Sequence, residues 1–348
     1  YLAVGPLFAT PRTATVSYEI GFSPYFGDSS SHLFIYSCIY FTIVGIISLY
    51  PNKLLDTIGH VLAPLKIVAL AILCIATLVF PILVTPPAVH NYIQQPVSEG
   101  LVNGYLTMDT LGALVFGIVI VQAIHSRGVS DKKLIMRYAI IASLMAGVGL
   151  TILYLCLFRL GLQSYAFMTT ATNGAEILHA YVQHTFGDLG SLFLTILIFL
   201  ACTVTAIGLT CSCAEYFHEL TKVSYKLLVF ILVIFALIIS NLGLTKLIAF
   251  SVPVLTAIYP PAIVVIILSF FWKFFNRPSL IVMPVTIIAL IFGIFEGLKA
   301  SSLSHLVPSF LSQLPLDAQN LAWLIPSVAI FVLFFVIDKF LGLAQRQN

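Results

Sequence analysis

The chain is poor in charge. Asp, Glu, Lys and Arg make up 8% of its 348 residues, whereas soluble domains carry about 25%. So apolar a chain has too little polar surface to cover soluble domains of this total length. It also has no run of lysines and arginines, which argues against a nucleic-acid-binding protein. The composition therefore excludes an ordinary soluble protein.

Motifs of common enzymes and metal sites are absent as well. The sequence has no Gly-rich phosphate loop, no Gly-x-Ser-x-Gly turn and no His-Glu-x-x-His pair, so we predict neither an enzyme nor a resident cofactor. All six cysteines lie in apolar runs and lack the spacing of zinc ligands. We expect most of them to be packing residues without disulfides.

What the sequence does contain is hydrophobic length. Hydrophobic residues make up 60% of the chain, and the mean hydropathy is +1.08. The apolar runs reach the roughly 20 residues that a helix needs to cross a bilayer, and they do not alternate as strands of a membrane barrel would. We predict an all-α polytopic membrane protein with about ten spans, at roughly 1–20, 32–50, 54–84, 106–124, 134–158, 189–216, 226–241, 246–271, 279–298 and 320–342.

The positive residues alternate from loop to loop between these spans. One set of loops holds 11 of them and the other set holds 3, namely Arg159, Lys246 and Lys299. Cytoplasmic loops carry the excess of lysine and arginine, so both ends of the chain are predicted to be cytoplasmic. The chain begins with Tyr1, inside an apolar segment and without the charged region of a signal peptide. We therefore expect an N-terminal part to be missing.

Polar residues and helix breakers concentrate in a few of the predicted spans. Residues 5–19 contain two prolines and Arg12. A charge inside the bilayer needs a partner, for which Glu19, Asp109 and Glu215 are candidates. Alternatively, Arg12 reaches the membrane interface as an anchor.

The stretch 104–117 combines Asp109, two threonines and several glycines. This composition predicts a helix that unwinds and exposes backbone groups for a ligand, although close packing of small residues is an alternative. Residues 203–215 carry hydroxyl groups that suit a hard cation, unless they bond back to their own helix. The prolines of 251–261 predict a kink, or a gating hinge.

The predicted outer loop 159–188 contains a helix-start signal. Asn173 is followed by Glu176 at the capping-box spacing and then by an amphipathic run. We predict a short helix, which either lies in the membrane interface or forms a lid over an outer vestibule.

Several of these stretches resemble one family closely. The chain is similar to the branched-chain amino acid transport system II carriers, which are branched-chain amino acid:cation symporters of the amino acid–polyamine–organocation superfamily. The resemblance covers essentially the whole chain, and the segments that carry it are 2–19, 103–113, 126–129 and 251–261.

The resemblance implies a LeuT-type fold of two inverted five-helix repeats with twelve spans in all. This chain would supply spans 3–12, with 1–84 as the rest of the first repeat, 104–271 as the second and 279–345 as the last two spans. Without the first span, the chain is expected not to transport alone. The broken helix 6 would be 104–117 and helix 8 would be 203–215, where Thr210-Cys211 stands in place of the common Thr-Ser.

The resemblance also implies where ligands bind. Substrate and sodium would bind near the membrane midplane, between helices 1, 3, 6 and 8. The expected substrate contacts are Phe8, Asp109, Thr110, Gly112, Ala113, Phe116 and Gly117. The expected sodium ligands are the Ile207 carbonyl and the Thr210 hydroxyl, with Thr205 or Ser212 as substitutes. The expected gating charges are Arg12, Glu19 and Glu215.

The implied function is sodium-coupled import of leucine, isoleucine and valine across the bacterial inner membrane. Sodium would be the coupling ion. Membrane lipid is the expected surrounding partner, and no cofactor, nucleic acid or obligate protein partner is expected. Two alternatives stay open. The coupling ion is a proton that titrates Asp109 or Glu215, or the protein is a transporter-like receptor that binds amino acids without net flux.

Overall fold

The computed structural model describes residues 1–27, 29–79, 87–88, 90–168 and 170–346. All regular structure in these ranges is helical. A π-helical turn at Ala3–Leu7 precedes the first α-helix. The α-helices are α1 Ala9–Gly21, α2 Ser23–Phe26, α3 Ser30–Leu49, α4 Pro51–Val79, α5 Pro96–Tyr105, α6 Asp109–Ser126, α7 Lys132–Ser164, α8 Gly174–Thr221, α9 Tyr225–Ser240, α10 Leu244–Phe270, α11 Pro278–Lys299 and α12 Leu324–Arg346.

Each predicted span overlaps one of these helices, although residues 80–84 of the span 54–84 lie outside the described residues. Six of the described helices are long and apolar enough to cross a membrane. The six are Ser30–Leu49, Lys132–Ser164, Gly174–Thr221, Leu244–Phe270, Pro278–Lys299 and Leu324–Leu341. The protein is therefore an all-helical polytopic membrane protein. The count of ten spans and the inverted repeats stay predictions.

The described helices form two compact units. The first unit contains residues 1–87 and 113–247, and the second contains 88–112 and 248–348. The core of the first unit lies among α1, α3, α8 and α9, and its fully buried members include Tyr40, Phe41, Val44, Ala206 and Ile207. The core of the second lies among α10, α11 and α12 around Ile281, Val285 and Trp323.

In the first unit, α1 runs antiparallel to α8 at very short distance. A Cβ atom added to Gly5 would lie 2.4 Å from the Cys213 sulfur, and one added to Gly21 would lie 2.7 Å from the Thr195 methyl carbon. Small residues allow such approach between membrane helices, where packing rather than the hydrophobic effect drives association. Gly5 lies in the π-helical turn and Gly21 ends α1, so both the turn and the helix pack closely on α8.

In the second unit, a buried aspartate joins the start of α11 to α12. Asp338 is fully buried, and its carboxylate accepts hydrogen bonds from the backbone amides of Asn276 and Arg277, both at 2.8 Å. These amides precede Pro278, the first residue of α11. The carboxylate thus accepts hydrogen bonds from amides at the start of α11 and stabilises the positive end of the dipole of that helix, although the two segments are distant in sequence.

The outer-loop helix is confirmed, but its boundaries differ from the expectation. Asn173 caps the helix through its side-chain oxygen, which accepts from the amides of Ala175 and Glu176. The helix is not separate, because it continues into the following span through a kink at Gly187 (φ 66°, ψ −161°). This conformation is essentially open only to glycine. Arg159, assigned to the loop from the sequence, lies within α7, which ends at Ser164.

Candidate functional site

The first candidate region is the irregular start of the chain. Gly5 has non-helical torsion angles inside the π-helical turn, and Phe8 (φ −130°, ψ −55°) separates this turn from α1. Pro6 contributes no amide donor here. Phe8, an expected substrate contact, is 1% exposed, so the break places a phenyl ring in the interior of the first unit.

Hydroxyl groups line the interior where α1, α3 and α8 meet. The Tyr40 hydroxyl lies close to the hydroxyls of Thr13 and Thr203. These two hydroxyls are within hydrogen-bonding reach of Tyr40, whereas the buried Thr10 hydroxyl has no hydrogen-bond partner among the described residues. One turn outward, the Tyr36 hydroxyl donates to Ser17 at 2.8 Å. Buried hydroxyls without partners are costly, so this polar interior suits a bound ion or water.

The expected sodium ligands occupy two different faces of α8. Ile207 and Thr210 are buried, whereas Thr205 is exposed and its hydroxyl donates to the Ala201 carbonyl of its own helix. Ser212 follows Thr205 by seven residues and shares its face. Ile207 and Thr210 therefore lie on the buried side of α8, whereas Thr205 does not.

The second half of α6 also reaches α8. A Cβ atom added to Gly208 would lie 3.9 Å from the Phe116 ring. Phe116, an expected substrate contact, thus lies beside Gly208. Gly208 stands between Ile207 and Thr210, the two buried residues expected to bind sodium. Ala113, one turn earlier, is exposed, and Gly117 is half-buried. The Cys211 thiol is directed at the Ser48 carbonyl on α3, at 3.9 Å.

The stretch 104–117 contains a helix interruption at its start, whereas residues 109–117 form continuous helix, so a span broken partway across the membrane stays a prediction. Helix α5 ends at Tyr105 and α6 begins at Asp109, and Met108 between them has a φ of 64°, a left-handed conformation that is rare without glycine. Asp109 and Thr110 are exposed in the first turn of α6, and Gly112 is half-buried. Asp109, Thr110 and Gly112 belong to the second unit, whereas Ala113, Phe116 and Gly117 belong to the first.

The three expected gating charges have different surroundings. The Asn173 amide donates to the Glu19 carboxylate at 2.6 Å, which joins α1 to the cap of the outer-loop helix. Arg12 is half-buried on α1, and Glu215 is exposed near the end of α8. Of the three, Glu19 is therefore the charge that a hydrogen bond connects to the start of α8.

Sequence analysis did not single out several polar residues that the structure buries. Asp338 and Tyr259 are buried among apolar helices. Lys299, the last residue of α11, forms ion pairs with the buried Glu296, at 3.4 Å, and with Asp317. An isolated carboxylate in an apolar run was the available signal for Asp338, and three neighbouring prolines were the signal around Tyr259.

Apolar helices of spanning length define this protein as a membrane protein. Helix interruptions and buried hydroxyl groups among such helices are features typical of membrane transporters. Residues 1–341 match the family described as branched-chain amino acid transport protein. The chain belongs to that family, whose members are transporters and not enzymes.

Three relatives illustrate the similarity. The chain is 57% identical over 342 residues to the branched-chain amino acid permease BrnQ of Escherichia coli (strain K12), covering 98% of this chain and 78% of the relative. It is 58% identical to the branched-chain amino acid transport system 3 carrier protein of Pseudomonas aeruginosa, with the same coverage. It is 38% identical over 353 residues to the permease BraB of Bacillus subtilis (strain 168), covering 100% and 79%. No solved structure matches the chain.

Proposed function

We propose that this protein imports leucine, isoleucine and valine together with sodium, by alternating access in a LeuT-type fold. The observation that carries the proposal is membership of the branched-chain amino acid transport protein family over residues 1–341. The distribution of positive residues supports an orientation in the bacterial inner membrane with both ends of this chain in the cytoplasm.

The hydroxyl-lined interior of the first unit supports sodium as the coupling ion. Sodium is a hard cation and prefers oxygen ligands, as calcium and magnesium do. The Thr210 hydroxyl and the Ile207 carbonyl would bind it, and the buried Thr10 hydroxyl of α1, which has no hydrogen-bond partner among the described residues, would be a further oxygen. The exposed Thr205 would then not bind sodium. The same is expected of Ser212, because it lies on the same face of α8.

Two aromatic side chains of the first unit support an aliphatic substrate. Phe8 is buried at the break before α1, and Phe116 packs beside Gly208 on α8. Such rings would contact the branched side chain of the amino acid. Selectivity among leucine, isoleucine and valine would be weak, because one methylene group changes binding by only about 1–3 kcal/mol.

Coupling follows if sodium and substrate bind better together than separately. Sodium would order the oxygen groups of α1 and α8 beside Phe116, and substrate would in turn raise the affinity for sodium by the same factor. The outer-loop helix at 174–186 would close the outer side, with Gly187 as its hinge and the Glu19–Asn173 hydrogen bond as its closed-state contact.

The test is uptake of labelled isoleucine by proteoliposomes that contain the full-length protein. An inward sodium gradient is compared with choline at equal ionic strength, with and without an inward proton gradient. We expect concentrative uptake only with sodium. Uptake that follows the proton gradient in choline would contradict sodium coupling and favour proton coupling. Tight isoleucine binding without uptake under any gradient would favour the receptor alternative.

A further inference from the structure

The first unit contains an apolar groove of about 530 Å³ between α4, α7 and α8. All of its lining residues are apolar. Its floor is buried and includes Leu73, Val182 and Leu197. Its rim is exposed and includes Ile72, Leu189 and Phe193. The groove is therefore an open site on the surface of the first unit and not an internal cavity.

The groove has the length of a lipid tail. Beyond the kink at Gly187 it follows α8 from Leu189 to Ile198, nine residues that extend about 14 Å at 1.5 Å per residue. One leaflet supplies half of the roughly 30 Å of hydrocarbon in a bilayer. In the predicted orientation, α4 and α7 end and α8 begins on the outer side of the membrane. The groove thus matches an acyl chain of the outer leaflet in length and in chemistry.

A cationic group lies beside the outer end of this groove. Arg159 of α7 is exposed, five residues before the helix ends at Ser164. Its Nε donates to the Thr77 carbonyl of α4 at 3.0 Å. Thr77 follows Leu73 of the groove floor by one helical turn. The guanidinium also lies near the hydroxyl of Tyr181 on α8, so it is placed where the three helices of the groove meet.

The positive charge of Arg159 is not neutralised by the described part of the chain. No described carboxylate forms an ion pair with it. The Thr77 carbonyl takes only one of its three nitrogens and also accepts from Gln163, at 2.9 Å. A cation within a spanning helix needs a partner, and the guanidinium fork fits the oxygens of a phosphate. At the outer end of a spanning helix, the bilayer itself supplies phosphate groups.

We propose that Arg159 and this groove form a binding site for one phospholipid of the outer leaflet. Its phosphate pairs with the guanidinium, and one acyl chain fills the groove. The site is separate from the residues expected to bind substrate and sodium. Lining residues lie on both sides of Gly187, among them Phe186 and Leu189. The bound chain therefore packs against both arms of the kink and holds the outer-loop helix at one angle to the rest of α8.

The experiment measures lipid binding to the full-length protein by native mass spectrometry, after delipidation in detergent. Three probes separate the two parts of the lipid. They are dioleoylphosphatidylglycerol, dioleoylglycerol, which lacks the phosphate, and glycerol 3-phosphate, which lacks the chains. Arg159→Gln is compared with Lys246→Gln, a matched control at another exposed positive residue of the predicted outer loops. A further variant, Ala69→Phe, fills the groove with an aromatic ring.

Wild-type protein and Lys246→Gln are expected to bind one phosphatidylglycerol at least tenfold more tightly than either partial probe. Arg159→Gln should raise the dissociation constant of phosphatidylglycerol about tenfold or more, as for loss of hydrogen bonds between charged groups. Its binding of dioleoylglycerol should not change. Equal binding of phosphatidylglycerol by Arg159→Gln and Lys246→Gln overturns the proposal, because it shows unspecific lipid around the protein.

The filled groove gives an independent result. Ala69→Phe should lose tight phosphatidylglycerol binding, whereas the thermal stability of the lipid-free protein should be unchanged or raised, because the ring occupies space that the fold leaves empty. Undiminished binding to this folded variant overturns the assignment of the groove to an acyl chain.

Hydrogen exchange tests the contact with both arms of the kink. Phosphatidylglycerol should slow exchange across residues 174–186 in the wild type and in Lys246→Gln, and should do so much less in Arg159→Gln at the same lipid concentration. Exchange that is unchanged when the lipid is bound overturns the inferred hold on the outer-loop helix.

Discussion

Two glycines of α11 provide a test of helix packing in the second unit. A Cβ atom added to Gly293 would lie 2.4 Å from the Ala257 carbonyl oxygen, and one added to Gly297 would lie 2.4 Å from the Pro253 carbonyl oxygen. Both obstacles are backbone atoms of α10, which cannot rotate away. The Ala257 carbonyl also lacks its usual helical donor, because position 261 is a proline.

The expected cost can be worked out from these distances. Relief to an ordinary carbon–oxygen contact of about 3.3 Å requires the two helices to separate by roughly 0.9 Å. Overpacking of this kind costs about 1–3 kcal/mol, and replacing a helical glycine by alanine returns about 0.5–1 kcal/mol. We therefore expect Gly293→Ala and Gly297→Ala each to destabilise the protein by about 1–2 kcal/mol. One separation relieves both clashes, so the double variant should cost less than the sum.

Thermal unfolding in one detergent, followed by size-exclusion chromatography of the remaining folded protein, measures the effect. The matched control is Gly149→Ala on α7, where an added Cβ atom would have nothing within 4 Å. We expect a lower unfolding midpoint for both α11 variants and an equal or higher midpoint for the control. A Gly293→Ala midpoint at or above that of the wild type would refute the close α10–α11 contact.

Three further outcomes follow from the structure. Asp338→Ala leaves two amides without their acceptor, so we expect a loss of about 2–5 kcal/mol in the same unfolding assay, and an unchanged midpoint would contradict it. Thr210→Ala should raise the sodium concentration for half-maximal isoleucine uptake at least tenfold, whereas its control Thr205→Ala should not; equal shifts would refute the assignment of the buried face. Asn173→Ala removes a helix cap worth about 1 kcal/mol and the contact to Glu19, so hydrogen exchange across 174–186 should quicken, and unchanged protection would argue against a closed-state contact.

The helices and their breaks could be predicted because their signals are local. Apolar runs of spanning length predicted the long helices of the described residues. Asn173 and Glu176 predicted the start of the outer-loop helix. The glycines and hydroxyl residues around Asp109 gave the interruption before α6. Each of these signals lies within a few residues of the structure that it specifies.

The surroundings of Asp338 and Tyr259 could not be predicted because their partners are distant in the chain. Asp338 accepts hydrogen bonds from amides 62 and 61 residues away, and Tyr259 of α10 stacks on Tyr105 of α5. The choice between Thr205 and Thr210 also required the structure. It depends on which face of α8 packs against α1, and both faces carry hydroxyl residues.

The central claim is that sodium and a branched-chain amino acid cross the membrane as coupled substrates. The most direct test places proteoliposomes without any sodium gradient in an inward gradient of isoleucine and follows the entry of labelled sodium. The account predicts that isoleucine drives sodium into the vesicles, and that glutamate at the same concentration does not. Sodium entry that is indifferent to isoleucine, in vesicles that take up isoleucine, would contradict it.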